Sequence, residues 1–407
     1  MPYFLIKQMT GGKIMSDDSY TEITSESWWD RIKNALGGAL LGLILFLAAF
    51  PLLFWNEGRA VDRAKTLEEG ASTVISIDAK QVEAVNEGKL VHLSDQARSD
   101  ETLTDAMFGV VAANVINLRR VVMMYQWEEQ QRSETQEKLG GGTETVTTYT
   151  HTETWSSDLF DSSTFKQPEG HRNPTSMPFS SNAFHAEKVT VGAFSLSVSL
   201  VNQLDKSQRL PMTAETFEQV PEEFRDKLHI HDGYYYMGQD ATRPQIGDLR
   251  ISFEVVRPAV VSIVAKQVGS SLASYTTQVG GEIELFEYGT VTAEDMFKHE
   301  VAFNTMLTWI LRLVGFIVMF IGLNFIFGVL RTLAAVLPFL ADIVGFVGAL
   351  VSFVIAATLS LITIAIAWIF YRPLLGIMLL AIAGGLLYFL KFARKPQEPA
   401  AVPETSG

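Results

Sequence analysis

Histidine and carboxylate residues are the first candidates for chemistry in this sequence. His229 and His231 would lie on one face of a strand, because strand side chains alternate. Two imidazoles so placed could bind zinc if a third ligand joined them, but no such motif accompanies them. Glu128 and Glu129 are adjacent, so on a strand they would face opposite sides and could not converge for acid–base catalysis.

Other enzymatic signatures are absent from the chain. It contains no cysteine, and it lacks the Gly-x-Ser-x-Gly, His-Glu-x-x-His and phosphate-binding glycine motifs. The formal net charge of -13 argues against nucleic acid as a partner, because phosphates require a basic surface. The sequence predicts a protein that is not an enzyme and that has no cofactor or metal site.

Four long apolar stretches lie near the two ends of the chain and would position the polar region between them. A helix of about 20 apolar residues crosses the hydrocarbon core of a bilayer. We predict transmembrane helices at residues 36–55, 306–330, 343–370 and 373–390. Residues 331–342 are apolar but short and contain Pro338, which predicts an interfacial or re-entrant connector rather than a fifth span.

Aromatic and basic residues flank these stretches and would anchor them at the two membrane surfaces. The chain changes from apolar to polar directly after Trp55, so residues 56–59 would be the first in water. Ser25 or Ser27 would cap a short interfacial helix that leads into the first span. The predicted anchors are Trp28, Trp29, Arg31, Lys33, Trp55, Arg59, Arg372 and Lys391.

The basic residues also predict an orientation, because cytoplasmic ends of spans carry an excess of Lys and Arg. Residues 1–35 and the tail 391–407 would lie in the cytoplasm, although Arg372 falls on the opposite side. The polar residues 56–305 would form an extracytoplasmic domain, inserted between the first and second of four transmembrane helices.

The polar region is predicted to be an α+β domain. Thr292, three residues before Asp295, resembles a capping box, from which a helix would continue into the second span. Another helix is predicted over residues 103–117, and Gly140 to Gly142 would form a hairpin tip. Runs of β-branched and aromatic residues predict strands at 72–77, 90–93, 119–127, 145–155, 249–256 and 259–267.

Three residues with charged or amide side chains lie within or at the ends of the predicted spans: Arg312, Asn324 and Asp342. A charge in hydrocarbon costs about 2.5–3.5 kcal/mol on insertion scales, so Arg312 and Asp342 each need a partner or a route to the surface. For Arg312 we expect the long side chain to reach the membrane surface. Small residues such as Gly37 and Gly42 would allow close helix packing, within one bundle or between copies.

The chain resembles the transmembrane protein 43 family, also called LUMA. The matching stretches include FWNEGRAV (54–61), LRRVVMMYQWEE (118–129), HRNPTSMPF (171–179) and WIFYRP (368–373). The resemblance implies four spans with a large domain between the first two. It also implies that eukaryotic relatives reside in the endoplasmic reticulum and inner nuclear membrane, as self-associating scaffolds that organise the nuclear envelope through lamins and emerin.

Three functions remain open on the sequence. The leading hypothesis is a non-enzymatic multi-pass scaffold whose partners are the lipid bilayer, copies of itself and other membrane or envelope proteins. The second is an ion channel or channel-modulating subunit, with Arg312, Asn324, Asp342, Ser352 and Ser360 as candidates to line a passage. The third is a ligand- or lipid-sensing domain, which would require an apolar pocket.

The compartment is also left as two alternatives. The chain has neither cysteine nor an Asn-x-Ser/Thr glycosylation acceptor. This favours a prokaryotic origin, with the protein in a bacterial inner membrane and its domain in the periplasm. In a eukaryote, the resemblance implies the endoplasmic reticulum and inner nuclear membrane, with the domain in the lumen.

Overall fold

The computed structural model describes residues 19–373 together with residues 378, 381 and 382. The helices within this part are α1 (Trp28–Thr73), α2 (Val198–Asn202), α3 (Ala214–Glu218), α4 (Glu222–Arg225), α5 (Ala293–Ala334) and α6 (Pro338–Tyr371). The first strands are β1 (Ser19–Glu26), β2 (Ile75–Ser76), β3 (Leu90–Arg98), β4 (Thr102–Asp105), β5 (Val110–Ala113), β6 (Asn117–Glu137), β7 (Thr143–Ser156), β8 (Asn182–His185), β9 (Thr190–Val191) and β10 (Phe194–Ser195). The remaining strands are β11 (Ser207–Leu210), β12 (His229–His231), β13 (Tyr234–Met237), β14 (Leu249–Val256), β15 (Ala259–Val268), β16 (Ser271–Ala273), β17 (Tyr275–Thr276), β18 (Glu282–Ile283) and β19 (Leu285–Tyr288).

The three long helices α1, α5 and α6 pack as an up–down–up bundle, and each is long and apolar enough to cross a membrane. Backbones approach most closely where glycines meet: a Cβ added to Gly42 would lie 2.5 Å from the Gly322 carbonyl oxygen. Gly42 therefore has the packing role expected of small residues. The predicted fourth span, 373–390, lies outside the described residues except at four positions, and the tail 391–407 lies wholly outside them.

Both α1 and α5 extend far beyond the length that a bilayer requires. α1 has 46 residues and begins after the N-cap Ser27, so the predicted interfacial helix is its first turn. α5 has 42 residues and follows the N-cap Thr292, whose hydroxyl accepts the Asp295 N–H, as predicted. A cluster that includes Leu67 of α1 and Phe297 of α5 packs both helices onto the domain.

The predicted connector 331–342 is mostly helical. Residues 331–334 belong to α5 and residues 338–342 to α6, so only 335–337 separate the two helices. Pro338 occupies the first turn of α6, where its missing N–H leaves no hydrogen bond unmade. The proline thus starts a helix at this point instead of interrupting an apolar segment.

Two large sheets build the strand-rich domain. The first has the order β1-β7-β6-β14-β13-β12, with β11 added on β14 and β8 on β6. The second has the order β19-β15-β16-β10-β9-β3-β2, and β15 also pairs with β3. Five of the predicted strands are confirmed as parts of β3, β6, β7, β14 and β15, while of residues 72–77 only Ile75–Ser76 is a strand.

The predicted helix over residues 103–117 is wrong, because this segment is the hairpin β4–β5. Its buried side chains alternate with exposed ones, which is the strand period. The Asp105 carboxylate accepts hydrogen bonds from the N–H groups of Met107 and Phe108, and Gly109 has a φ of 63°. These turn contacts replace the helical hydrogen bonds.

A three-stranded ribbon extends from the domain, formed by β1, residues 143–150 of β7 and residues 129–137 of β6. Its tip contacts the far end of the bundle: Gly140 donates to the Val336 carbonyl at 3.2 Å, and Arg31 donates to the Gly141 carbonyl at 2.6 Å. The sequence predicts residues 1–35 and 56–305 on opposite sides of a membrane. In the structure β1, from the first of these regions, pairs directly with β7, from the second, and the sidedness itself stays a prediction.

Candidate functional site

A group of polar side chains lies between the three long helices, at the end of the bundle nearer the domain. Asn56 and Glu57 of α1 are 0% and 1% exposed. Their neighbours come from α5 and α6, so that one polar group is surrounded by three helices. We call this group the polar cluster: Asn56, Glu57, Arg59, Asn304, Thr308, Arg312 and Trp368.

A two-pronged ion pair forms the centre of the polar cluster. Arg312 donates from Nε to Glu57 Oε1 at 2.7 Å and from a terminal nitrogen to Oε2 at 2.8 Å. The Trp368 indole N–H donates to the same Oε2 at 2.8 Å. The guanidinium carbon also lies 4.7 Å from the ring centre of Trp309. One carboxylate therefore links α1, α5 and α6.

Amide and hydroxyl groups continue the network towards the domain. Asn56 donates to the Thr308 carbonyl at 3.1 Å, and Asn304 donates to the Ala60 carbonyl at 3.0 Å. Arg59 donates to Asn304 Oδ1 and to the Thr308 hydroxyl, each at 3.0 Å. Each asparagine thus joins α1 to α5 through a backbone carbonyl of the other helix.

These contacts favour a structural role for Glu57 over a catalytic one. Both of its oxygens already accept hydrogen bonds, from the Arg312 guanidinium and from the Trp368 indole N–H. A general base needs a free oxygen within reach of a substrate proton. Loss of either partner of this buried ion pair would instead destabilise the fold strongly, because it leaves an uncompensated charge in the interior.

The cluster corrects two expectations from the sequence. Residues 56–59 are predicted to be the first in water, yet Asn56, Glu57 and Gly58 are buried among the helices. Arg312 is predicted to reach the membrane surface, yet its side chain is 13% exposed and bound to Glu57. The reason is the same for both: α1 and α5 run on together, so each supplies the partner for the other's charge.

The predicted anchors at the far end of the bundle have different surroundings. Trp28 donates its indole N–H to the Thr332 carbonyl at 2.9 Å, whereas Trp29 is exposed. Arg31 binds Glu137 at the tip of the ribbon at 2.9 Å. Lys33 is exposed beside Asp30.

At the domain end, Trp55 is exposed, as an interfacial residue would be. Arg372 lines a cavity of about 250 Å³ beside the polar cluster, and Arg59 belongs to the cluster itself. Lys391 lies outside the described residues. The anchoring role of these side chains stays a prediction.

The residues proposed to line a passage through the bundle do not converge. Asn324 bonds back to the Phe320 carbonyl of its own helix, and Asp342 is exposed, 3.9 Å from Arg331. Ser352 and Ser360 are buried within the helix packing, where Ser360 contacts the Met319 sulfur. The described helices thus pack these groups separately, and Arg312 alone joins the polar cluster.

The histidine and carboxylate candidates of the domain each contact different neighbours. His229 and His231 each pack beside a tyrosine of β13. Glu129 lies 3.0 Å from His151, while Glu128 accepts from Gln130. No group of three or more potential metal ligands occurs among the residues that the structure describes.

Sequence inspection missed Glu57, Asn304, Thr308 and Trp368. A signal was present on α5, where Asn304, Thr308 and Arg312 recur every four residues and therefore occupy one helix face. Nothing in the spacing of Glu57 predicts its partner, because the pairing joins positions 255 residues apart.

Three helices that can cross a membrane, joined to a strand-rich domain and linked by a buried ion pair, define an integral membrane protein. The chain belongs to the transmembrane protein 43 family, since residues 124–373 match the model described as Transmembrane protein 43. Its relatives carry a name that denotes no enzymatic activity.

Relatives match over most of their length. The chain is 34% identical to transmembrane protein 43 of Mus musculus, over 88% of this chain and 91% of the relative. It is 34% identical to the Homo sapiens protein over 87% and 89%, and 33% identical to the Drosophila melanogaster homolog over 84% and 91%. No solved structure matches the chain.

Proposed function

We propose that this protein is a non-enzymatic membrane scaffold, which self-associates and holds a strand-rich domain in a fixed position relative to the bilayer. The observation that carries the proposal is the polar cluster, because its central carboxylate binds groups from two other helices. Such a link resists sliding or tilting of one helix against another. A domain held rigidly against the membrane suits a protein that organises other proteins. Catalytic turnover would not require it.

The continuity of α1 and α5 supports the same proposal. Each helix runs without a break from the apolar bundle into the domain. At the point of entry Gly70 of α1 lies so close to the domain and to α5 that an added Cβ would be 2.3 Å from Ile283 and 2.9 Å from Phe297. Packing this dense holds the domain closely against both helices.

Self-association is supported by a small-residue surface of α1 that the described helices leave uncovered. Gly42 is used for packing against Gly322, whereas a Cβ added to Gly37 or Gly38 would meet nothing within 4 Å in the described structure. Small residues let helix backbones of two chains approach. We propose that this part of α1 contributes to contacts between copies.

The test is the oligomeric state of the full-length protein extracted with its lipids into nanodiscs. Native mass spectrometry or mass photometry should find oligomers, and Gly37→Leu should shift them towards monomers while leaving thermal stability unchanged. The matched control is Ala39→Leu on the same turn. A strictly monomeric wild-type protein at all concentrations would contradict the scaffold proposal.

The compartment stays a prediction. For a bacterial chain we propose the inner membrane, and for a eukaryotic one the endoplasmic reticulum and inner nuclear membrane. Fractionation of cells that express the tagged full-length chain checks either alternative. Release of the protein by alkaline carbonate would contradict its integral membrane location.

A further inference from the structure

The ribbon and the apolar helices have opposite solvent requirements although they lie at the same level of the molecule. Residues 130–136 of β6 are all exposed, and residues 129–137 include no apolar side chain. The helix faces carry exposed Leu41, Ile44 and Leu47 on α1 and Phe353 on α6. The helices require lipid, and the ribbon requires water.

Contacts at both ends fix the ribbon alongside the bundle. At the far end, Arg31 and Arg331 bind Glu137 near the ribbon tip at 2.9 and 3.6 Å. At the domain end, Asn173 bonds both the N–H and the carbonyl of Trp127 in β6. At about 3.3 Å per residue, positions 129–137 span roughly 30 Å, which is the thickness of the hydrocarbon core.

In a single copy within a bilayer, the polar ribbon would be surrounded by lipid tails. Among the described residues, the outer edge of β1 and the edge of β6 over 129–137 have no partner strand. Unpaired strand edges and charged side chains do not face lipid tails, because each unsatisfied backbone group costs several kcal/mol there. A membrane strand with one lipid-facing side also needs alternate apolar residues, which β6 lacks here.

We propose that copies of this chain assemble with their ribbons turned inward, so that the ribbons enclose a water-filled passage and the helices face lipid. This rests on the self-association proposed above and adds its geometry. Six acidic residues lie on the ribbon, and four of them pair with basic residues: Glu22 with Lys166, Glu134 with Arg132, Glu137 with Arg31 and Glu144 with Lys138, so the passage is lined by polar and paired charged groups. The acidic residues are Glu22, Glu26, Glu129, Glu134, Glu137 and Glu144.

The absence of cysteine allows a direct test with single substitutions in the full-length protein in liposomes. Gln131→Cys places a thiol at the middle of the ribbon, and Ile44→Cys places one on the lipid-facing side of α1. A membrane-impermeant methanethiosulfonate reagent is added outside the vesicles or trapped inside them. Gln131→Cys should react to the same extent from either side, and Ile44→Cys from neither.

Reaction of Gln131→Cys from one side only, or from neither side, would overturn the passage. A second measurement separates this failure from that of self-association: a bismaleimide is applied to Gln131→Cys and, in parallel, to Gly37→Cys. Covalent dimers through Gln131→Cys support inward ribbons. Dimers through Gly37→Cys alone leave self-association intact and overturn the passage, and dimers through neither overturn both.

Discussion

At the domain end of the bundle the side chains of Glu57 and Arg312 are 1% and 13% exposed, whereas at the far end those of Asp342 and Arg331 are 76% and 50% exposed. The two pairs use the same chemistry, but their separations are 2.7 and 3.9 Å. Breaking a buried pair leaves a charge without solvent or partner, whereas an exposed charge is hydrated at once. Burial therefore decides which pair holds the helices together.

The largest expected effect follows the loss of the buried carboxylate. Glu57→Ala should lower the free energy of unfolding by about 3–5 kcal/mol, because Arg312 and the Trp368 N–H lose their acceptor within the bundle. Denaturation in mild detergent, followed by tryptophan fluorescence, measures the change. In the matched control Glu57→Leu/Arg312→Leu no charge is stranded, so the loss should be much smaller. Equal losses would contradict this explanation.

Close packing between α1 and α5 gives the next effect. Gly322→Leu should destabilise the bundle by about 1–3 kcal/mol or more, because an added Cβ would lie 2.7 Å from the Gly42 carbonyl oxygen. The melting temperature in detergent checks this, with Gly328→Leu as control, since a Cβ added there would meet no described residue within 4 Å. Similar melting temperatures for the two variants would argue against the glycine contact.

We expect acid to destabilise the domain through the buried histidine His92. Burial lowers the pKa of His92 below its ordinary value of 6.5, although its hydrogen bond to the Val291 carbonyl opposes the shift. The native form is thus neutral, so its stabilisation is complete above about pH 6.5 and is lost as the pH falls through the lowered pKa. Urea denaturation at about pH 7.5 and about pH 5 measures the free energy of unfolding. Between these two values it should fall less for His92→Gln than for the wild type. A wild type as stable at the lower pH would refute this.

The smallest effect is expected at the far end of the bundle. Asp342→Asn removes the weak partner of Arg331, which also lies 3.6 Å from Glu137. The change should cost no more than about 1 kcal/mol, and added salt should reduce it further. A loss comparable to that of Glu57→Ala would erase the distinction between the two ends.

Sequence patterns predicted the elements better than their contacts. Three of the four apolar runs, the Thr292 cap and most long strands depend on neighbours in the chain, and the described residues contain them. The segment 103–117 was misassigned because its turn depends on Asp105 and Gly109, which do not disturb an apolar helical pattern. The strand β1 was missed because its partner β7 is more than 100 residues away.

The polar cluster could be predicted only in part, for the same reason. The position of Arg312 in a span identifies it as a residue that needs a partner. The sequence does not identify that partner, which is Glu57. The local sequence predicts that Glu57 lies in water, because it directly follows an apolar run, where a span normally ends. Only the antiparallel packing of α5 on α1 brings the two together. Long-range pairing therefore carries the information that the sequence pattern lacks.

A double-mutant cycle on Glu57 and Arg312 tests most directly whether this pair fastens the helices. The variants Glu57→Gln, Arg312→Gln and the double variant are unfolded in the same detergent, and their free energies are compared with that of the wild type. A coupling energy of about 2–3 kcal/mol is predicted for a buried, two-pronged pair. Losses that add to within about 0.5 kcal/mol would contradict the account.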